Sequence, residues 1–217
     1  MSTQEADTLL ANLLCSRLCH DLIGPVGAVG NGLEVLADED DADMRRQALE
    51  LLTFSAEEAS RRLKFYRLAF GAAGGGEVPL SLGEAREAAR GLLTGGKVGL
   101  DWPDAAMQAG VTPNKVAVRL LLNMIQLAAE ALPRGGRVAV QLARSGSGVA
   151  VTVVASGQTA TMPDAMVGAL NGRRAIGELD PRAAQAYYAR RLAQDCRSQV
   201  SVMQSDGQVV LSAAVPS

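Results

Sequence analysis

The chain has 217 residues and a formal net charge of −2 at pH 7, from 21 lysines and arginines against 23 aspartates and glutamates. This length can bury a substantial core in one domain or two small ones, and the charge balance provides no basic face for direct nucleic-acid binding. No uncharged apolar run approaches the ~20 residues of a membrane span and the first seven residues are acidic, so we expect a cytoplasmic protein without a membrane segment.

A long amphipathic helix is predicted near the N-terminus, because apolar residues recur there at gaps of three, four and seven. These residues are Leu14, Leu18, Leu22, Val29, Leu33 and Leu36. Pro25 lies inside the segment and is expected to bend the helix, and the acidic run 38–41 ends it. The apolar stripe should form the inner face of this helix.

The same helix carries His20, the one histidine of the chain. It lies two residues from core positions on either side, a rotation of about 200°, so the imidazole should point to solvent. Three small residues, Gly24, Gly27 and Asn31, continue its face. Because each glycine costs a helix roughly 1 kcal/mol, these positions suggest that another surface approaches the backbone. That surface belongs either to a partner protein or to a second copy of the chain. The simplest alternative is that His20 is an ordinary surface histidine.

The three cysteines cannot all pair within the chain, which fits a reducing compartment. Cys15 and Cys19 lie one helical turn apart beside His20. A metal site is disfavoured, since the imidazole points about 100° away from Cys19 and no fourth ligand is near. We expect both cysteines to be buried as small apolar residues.

A second long helix follows, with Asp41 or Asp43 as its N-cap. Its apolar and small residues repeat every three or four positions, at Met44, Ala48, Leu51, Ser55, Ala59, Leu63, Tyr66 and Phe70. Two such helices joined by a short loop form a hairpin whose apolar seams one partner helix cannot cover. A dimeric four-helix bundle is the simplest completion. A basic cluster near the end of this helix is either a solvated face or a docking surface for an acidic partner; it comprises Arg61, Arg62, Lys64 and Arg67.

The glycine-rich segment 71–76 predicts a flexible joint between a helical domain, 1–73, and a second domain, 77–217. In the second domain the patterns predict helices over 81–93, 112–132 and 181–196, and strands over 98–102, 137–143, 149–155, 199–203 and 208–214. Ser81 and Thr112 are the expected caps of the first two helices, with Pro113 at the first helical position. We therefore expect an α+β protein whose C-terminal half is a two-layer α/β sandwich.

The residues around the histidine resemble a known motif. His20 and Asp21, followed by Leu22 and by Pro25, resemble the H-box of sensor histidine kinases, in which the histidine accepts a phosphoryl group. The usual pattern has a basic residue where Ile23 stands.

Segment 120–136 resembles the N-box helix and following turn of the ATP-binding domain of the same kinases. The nucleotide contacts are missing, however. Leu127 stands in place of an asparagine that holds magnesium in the family, and Ala155 stands in place of the aspartate that reads adenine. The glycine-rich lid is absent from segment 180–188, and the G-x-G at 146–148 lies in a hairpin turn. We expect a kinase-shaped domain that binds no nucleotide, metal or other cofactor.

A histidine-bearing hairpin followed by a degenerate ATPase domain resembles the ChpT-type histidine phosphotransferases of alphaproteobacteria, over residues 9–215. The resemblance implies that His20 accepts the phosphoryl group beside Asp21. It also implies that the partners are receiver domains, one on a hybrid kinase and others on response regulators of a cell-cycle relay, each bringing its own magnesium. The predicted receiver contacts are Arg17, Ile23, Gly24, Gly27 and Asn31.

Three other functions stay open from the sequence. The chain could be a catalytically silent dimer that only docks receivers, or an ATP-dependent histidine kinase with divergent boxes. It could also be a receiver phosphatase that acts through Asp21. The second domain is expected to form part of the receiver docking surface.

Overall fold

The computed structural model describes residues 2–38, 40–71, 80–103, 113–146 and 148–216. Two long helices, α1 (Thr3–Asp38) and α2 (Ala42–Phe70), form the predicted hairpin. Asp41 caps α2 by accepting from the backbone N–H groups of Asp43 and Met44, both at 2.9 Å. The predicted joint at 71–76 and the boundary between the two proposed domains fall largely outside the described residues.

The two hairpin helices lie in close contact at Gly32, a glycine that the sequence patterns did not single out. A Cβ built there would lie 2.8 Å from Cγ of Leu52, so a larger residue would force Leu52 to move. A Cβ on Gly24 or Gly27 would meet no atom within 4 Å. Helix α1 also continues through Pro25 as one element of 36 residues.

The apolar stripes of the hairpin are only partly buried within one chain. Leu14 and Leu18 pack against the core, but the stripe residue Leu33 is 57% exposed. In α2 the stripe residue Leu51 is also exposed. Apolar residues of both stripes therefore stay uncovered in the single chain, in agreement with the expectation that one partner helix cannot cover the seams of the hairpin.

The C-terminal half contains helices and one mixed sheet. The helices are α3 (Leu82–Leu93), α4 (Lys115–Glu130), α5 (Asp164–Leu170) and α6 (Pro181–Asp195), with a 3-10 turn at Ile176–Glu178. The strands are β1 (Val98–Asp101), β2 (Gly136–Ser145), β3 (Gly148–Ser156), β4 (Ser201–Ser205) and β5 (Gln208–Val215). The sheet order is β1-β2-β3-β5-β4, with β1 parallel to β2 and the other pairs antiparallel. The α+β class is confirmed, whereas α5 and the 3-10 turn were missed.

Helix α4 begins later than predicted. Its N-cap is Asn114, whose side-chain oxygen accepts from the backbone N–H of Ala117 at 2.9 Å. Pro113 precedes this cap and is not the first helical residue. Thr112, the predicted cap, lies outside the described residues. Asparagine and threonine both cap helices well, so the local pattern could not choose between them.

The histidine-bearing end of the hairpin shares one hydrophobic core with the second half of the chain. Leu10 on α1 and Phe65, Tyr66 and Ala69 on α2 belong to the same buried cluster as the apolar side chains of α4 and the sheet. The Tyr66 ring stacks on Phe70 at 5.5 Å between centroids. The fold thus fixes this end of the hairpin against α4 and α6. No helix in the described part of the chain is long and apolar enough to cross a membrane.

Candidate functional site

His20 projects from α1 as predicted, with 73% of its side chain exposed. Its Nδ1 lies 3.2 Å from Oδ1 of Asp21. A carboxylate can only accept, so this contact places the ring proton on Nδ1 and leaves the lone pair on Nε2. The exposed ring therefore offers a nucleophilic nitrogen to an approaching molecule.

Asp21 is much less exposed than its neighbour, with 13% of its side chain accessible. Its Oδ2 accepts from Nε of Arg17 at 2.8 Å and from the hydroxyl of Tyr66. Burial alone would raise the pKa of Asp21, but the hydrogen bonds from Arg17 and Tyr66 outweigh burial and lower the pKa below its usual value. Asp21 is thus a fixed carboxylate beside the ring at neutral pH.

Arg17 is buried beneath this pair, where it joins Asp21 to Glu130 at the end of α4. Burial opposes the charge of the guanidinium, but the charges and hydrogen bonds of Glu130 and Asp21 together outweigh burial and raise the pKa of Arg17. Only 8% of the Arg17 side chain is exposed. From this buried position its hydrogen bond to Asp21 orients the carboxylate. Its predicted receiver contact stays a prediction, and little of the side chain is accessible for it.

A chain of buried polar groups continues from Asp21 into the second half of the molecule. The Gln126 side-chain nitrogen lies 3.4 Å from the Tyr66 hydroxyl, and Gln185 on α6 donates to Oε1 of Gln126 at 2.7 Å. Buried polar groups of this kind hold one arrangement because breaking any link leaves a group unsatisfied. The orientation of Asp21 is thereby tied to α2, α4 and α6.

Sequence reasoning missed Tyr66, Gln126, Glu130 and Gln185. Tyr66 was assigned only to the apolar stripe of α2. Gln126 did carry a signal, because it interrupts an otherwise apolar stretch of α4, and a polar residue buried there needs a partner.

Residues of α4 in the segment that resembles the N-box have structural roles. Asn123 is fully buried, and its amide donates to the carbonyl oxygens of Ala69 at 3.2 Å and Arg119 at 2.9 Å. Leu127 is also fully buried. Within the described ranges no three His, Cys, Asp or Glu side chains form a group that could hold a metal ion.

The four other predicted receiver contacts lie on the surface around His20. Ile23 is 74% exposed, and Gly24, Gly27 and Asn31 are exposed as well. One prediction about the same helix was wrong, because Cys15 and Cys19 are both exposed. They lie on the side of α1 that no other described element covers. The face beside the histidine is therefore open to a second macromolecule.

Comparison with known proteins gives consistent results. Residues 82–208 match the family model for the histidine phosphotransferase C-terminal domain. The protein phosphotransferase ChpT of Brucella abortus (strain 2308) is 37% identical over 204 residues, which is 94% of each chain. A solved structure of a bacterial phosphotransferase matches with a TM-score of 0.81 at 35% identity, over 98% of this chain and 97% of that one.

A more distant likeness is to the histidine kinase domain of the blue-light activated kinase EL346 from Erythrobacter litoralis, with a TM-score of 0.47 at 13% identity, over 88% of this chain and 95% of that one. The family model covers more than half of the chain, and the Brucella relative aligns along nearly all of it. The chain belongs to the histidine phosphotransferase family.

Proposed function

We propose that this chain is an intermediate carrier in a phosphorelay. His20 takes a phosphoryl group from the aspartyl phosphate of one receiver domain and passes it to the aspartate of another. The observation that carries this proposal is the arrangement at α1, where an exposed imidazole contacts a carboxylate that Arg17 and Tyr66 hold in place.

The reaction follows from this arrangement. Nε2 of the neutral imidazole attacks phosphorus in line with the bond to the receiver carboxylate. The N–P bond forms as the O–P bond breaks, the receiver aspartate leaves as a carboxylate, and the ring proton stays on Nδ1. The ring becomes positively charged, and the carboxylate of Asp21, 3.2 Å from Nδ1, stabilises that charge. Transfer to the second receiver reverses these steps.

The chain uses no nucleotide, metal or other cofactor of its own in this proposal. Its support is the state of α4, where Asn123 is engaged by backbone carbonyls and Leu127 offers no oxygen ligand. Phosphoryl transfer depends on positioning and on charge neutralisation, and a magnesium ion would belong to the partner receiver.

The proposed assembly is a homodimer through the hairpin. Its support is the set of large apolar side chains that α1 and α2 leave exposed beyond the histidine: Val26, Leu33, Val35, Met44, Leu49, Leu51, Phe54 and Leu63. A second copy would cover such residues in a four-helix bundle. Sedimentation equilibrium should give twice the chain mass of 22.6 kDa, whereas a single-chain mass would contradict the dimer.

A cytoplasmic location completes the proposal. All three cysteines are free and two of them are exposed. Exposed unpaired thiols are typical of proteins in a reducing compartment.

The test is a transfer assay with two phosphoryl donors. Radiolabelled phospho-receiver should place acid-labile label on this chain, and His20→Ala should abolish it. Labelled ATP should leave the chain unlabelled, because label from ATP would identify a divergent kinase. Loss of label from the receiver without gain on the chain would identify a phosphatase, and an undisturbed phospho-receiver would identify a docking protein. Either of these results, or label on the alanine variant, overturns the proposal.

A further inference from the structure

A groove lies beside His20, where the two halves of the chain meet. It has a volume of about 360 Å³ and is lined by Ser16, Arg17 and His20 from α1 and by Asp180, Pro181 and Arg182 from the start of α6. The wall formed by α6 is well anchored. Helix α1 packs against α6, and Arg191 on α6 forms an ion pair with Asp7 on α1 at 3.2 Å. The fold therefore holds residues of α6 at a set position near the imidazole.

Most charged groups in this groove already have partners. The guanidinium of Arg17 binds Asp21 and Glu130. The carboxylate of Asp180 accepts from the backbone N–H of Ala183 at 2.7 Å and so caps α6. His20 contacts Asp21.

Arg182 differs from these groups. It is exposed and makes no hydrogen bond or ion pair with any residue in the described part of the chain, although it attracts the carboxylate of Glu130. It is the one cation lining the groove whose donors remain available to a ligand among the described residues.

A phosphoryl group on His20 would bring anionic oxygens to this groove. Once the group has left the receiver, the receiver's own cations no longer neutralise it. A guanidinium presents a planar fork of N–H donors that matches phosphoryl oxygens, and such charge-assisted hydrogen bonds are stronger than neutral ones.

We propose that Arg182 is a phosphoryl-binding residue that donates hydrogen bonds to the oxygens of phospho-His20 from the opposite wall of the groove. This inference rests on the proposed phosphotransfer function and deepens it. Arg182 forms no covalent bond in the reaction; it donates hydrogen bonds to non-bridging oxygens and leaves the N–P and O–P bond changes as described above. The second domain then supplies a charge that the hairpin lacks.

The test uses the full-length chain with a phospho-receiver and three variants. Arg182→Ala removes the guanidinium. Arg182→Lys keeps the positive charge but lacks the planar set of N–H donors. Arg144→Ala is the matched control, because Arg144 is an exposed arginine on β2 that does not line the groove. Rapid-quench measurements over a range of receiver concentrations separate the maximal transfer rate from the half-saturating concentration. A 31P NMR titration of the phosphorylated chain reports the pH at which the phosphoryl group takes up a proton.

Arg182→Ala should lower the maximal transfer rate roughly 10- to 100-fold, as expected for loss of a charged hydrogen bond. The half-saturating concentration of the receiver should change little. The pH at which the phosphoryl group is protonated should rise, because a nearby cation favours the dianion. Arg182→Lys should restore part of both effects, and Arg144→Ala should behave as the wild type.

Two results would overturn the inference. One is a wild-type rate and titration in Arg182→Ala, and the other is a change confined to half-saturation, which would make Arg182 a receiver-docking residue. Failure of the proposed function would look different, because the wild-type chain itself would then acquire no label.

Discussion

Helices α1 and α4 both resemble parts of histidine kinases, yet they present their polar residues in opposite directions. On α1 the side chain of His20 is 73% exposed. On α4, Asn123 is fully buried and bound to the backbone of Ala69 and Arg119. In the proposed function α1 carries the reactive side chain, whereas the polar side chain of Asn123 on α4 binds the end of the hairpin at Ala69.

Helix α4 also contacts the residues that hold Asp21 beside His20. Glu130 at the end of α4 pairs with Arg17, and Gln126 contacts Tyr66. Both of these partners hydrogen-bond to Asp21.

Replacing Asp21 with asparagine should slow phosphoryl transfer more than replacing Tyr66 with phenylalanine. The amide has a similar shape but cannot stabilise the positive ring that forms at His20, so the rate should fall about a hundredfold. Single-turnover transfer from a phospho-receiver measures this. Asp38→Asn changes an exposed acid on the same helix and should leave the rate unaltered; equal losses in both variants would show that only net charge matters.

Asn123 on α4 and Asn31 on α1 allow the same substitution to be compared at a buried and an exposed position. Asn123→Ala removes the donor that two buried carbonyl groups accept from, and should lower the free energy of unfolding by about 1–3 kcal/mol. Asn31→Ala, at an exposed position of α1, should change it by less than about 0.5 kcal/mol. Urea denaturation monitored by circular dichroism distinguishes them, and similar values for both would contradict a structural role for α4.

Tyr66→Phe removes one of the three side-chain hydrogen bonds that lower the pKa of Asp21. Transfer should slow several-fold, an effect on the order of 1 kcal/mol. The pKa of Asp21 should rise, because a hydrogen bond to its charged form is lost. An NMR titration of the Asp21 carboxyl carbon measures this shift, and an unshifted titration would exclude Tyr66 from positioning Asp21.

The same hydrogen bonds give stability a defined pH dependence. The pKa of Asp21 is lowered in the folded chain from its ordinary value of 3.8. Its contribution to stability is therefore complete above that value and is lost as the pH falls through the lower folded pKa. Acid titration of unfolding free energy should show a smaller loss over this range in Tyr66→Phe than in the wild type.

The glycines of α1 give the smallest expected effect. Gly24→Ala places a methyl group where no described atom lies within 4 Å, so it should raise the free energy of unfolding by up to about 1 kcal/mol. Gly32→Ala, which meets Leu52 at 2.8 Å, should lower it. Destabilisation by Gly24→Ala would instead indicate a close crossing between two copies of the chain at that glycine.

Local patterns predicted much of this structure because they depend on residues close in sequence. The helical period of α1 was sufficient to place His20 in solvent, and alternation was sufficient to find the strands of the sheet. The contacts that hold Asp21 could not be found in this way, since Tyr66 lies 45 residues from Asp21 and Glu130 lies 113 residues from Arg17. Such pairs depend on how helices pack, which no short window of sequence specifies.

In the proposed mechanism Nε2 of His20 receives the phosphoryl group, while Nδ1 keeps its proton and donates it in a hydrogen bond to Asp21. Because the chain has a single histidine, NMR of protein labelled with 15N-histidine reports one ring. On addition of a phospho-receiver, we expect phosphorus coupling at Nε2 and a retained proton at Nδ1. A ring that stays unmodified while the receiver loses its phosphoryl group, or phosphorus attached at Nδ1, would contradict it.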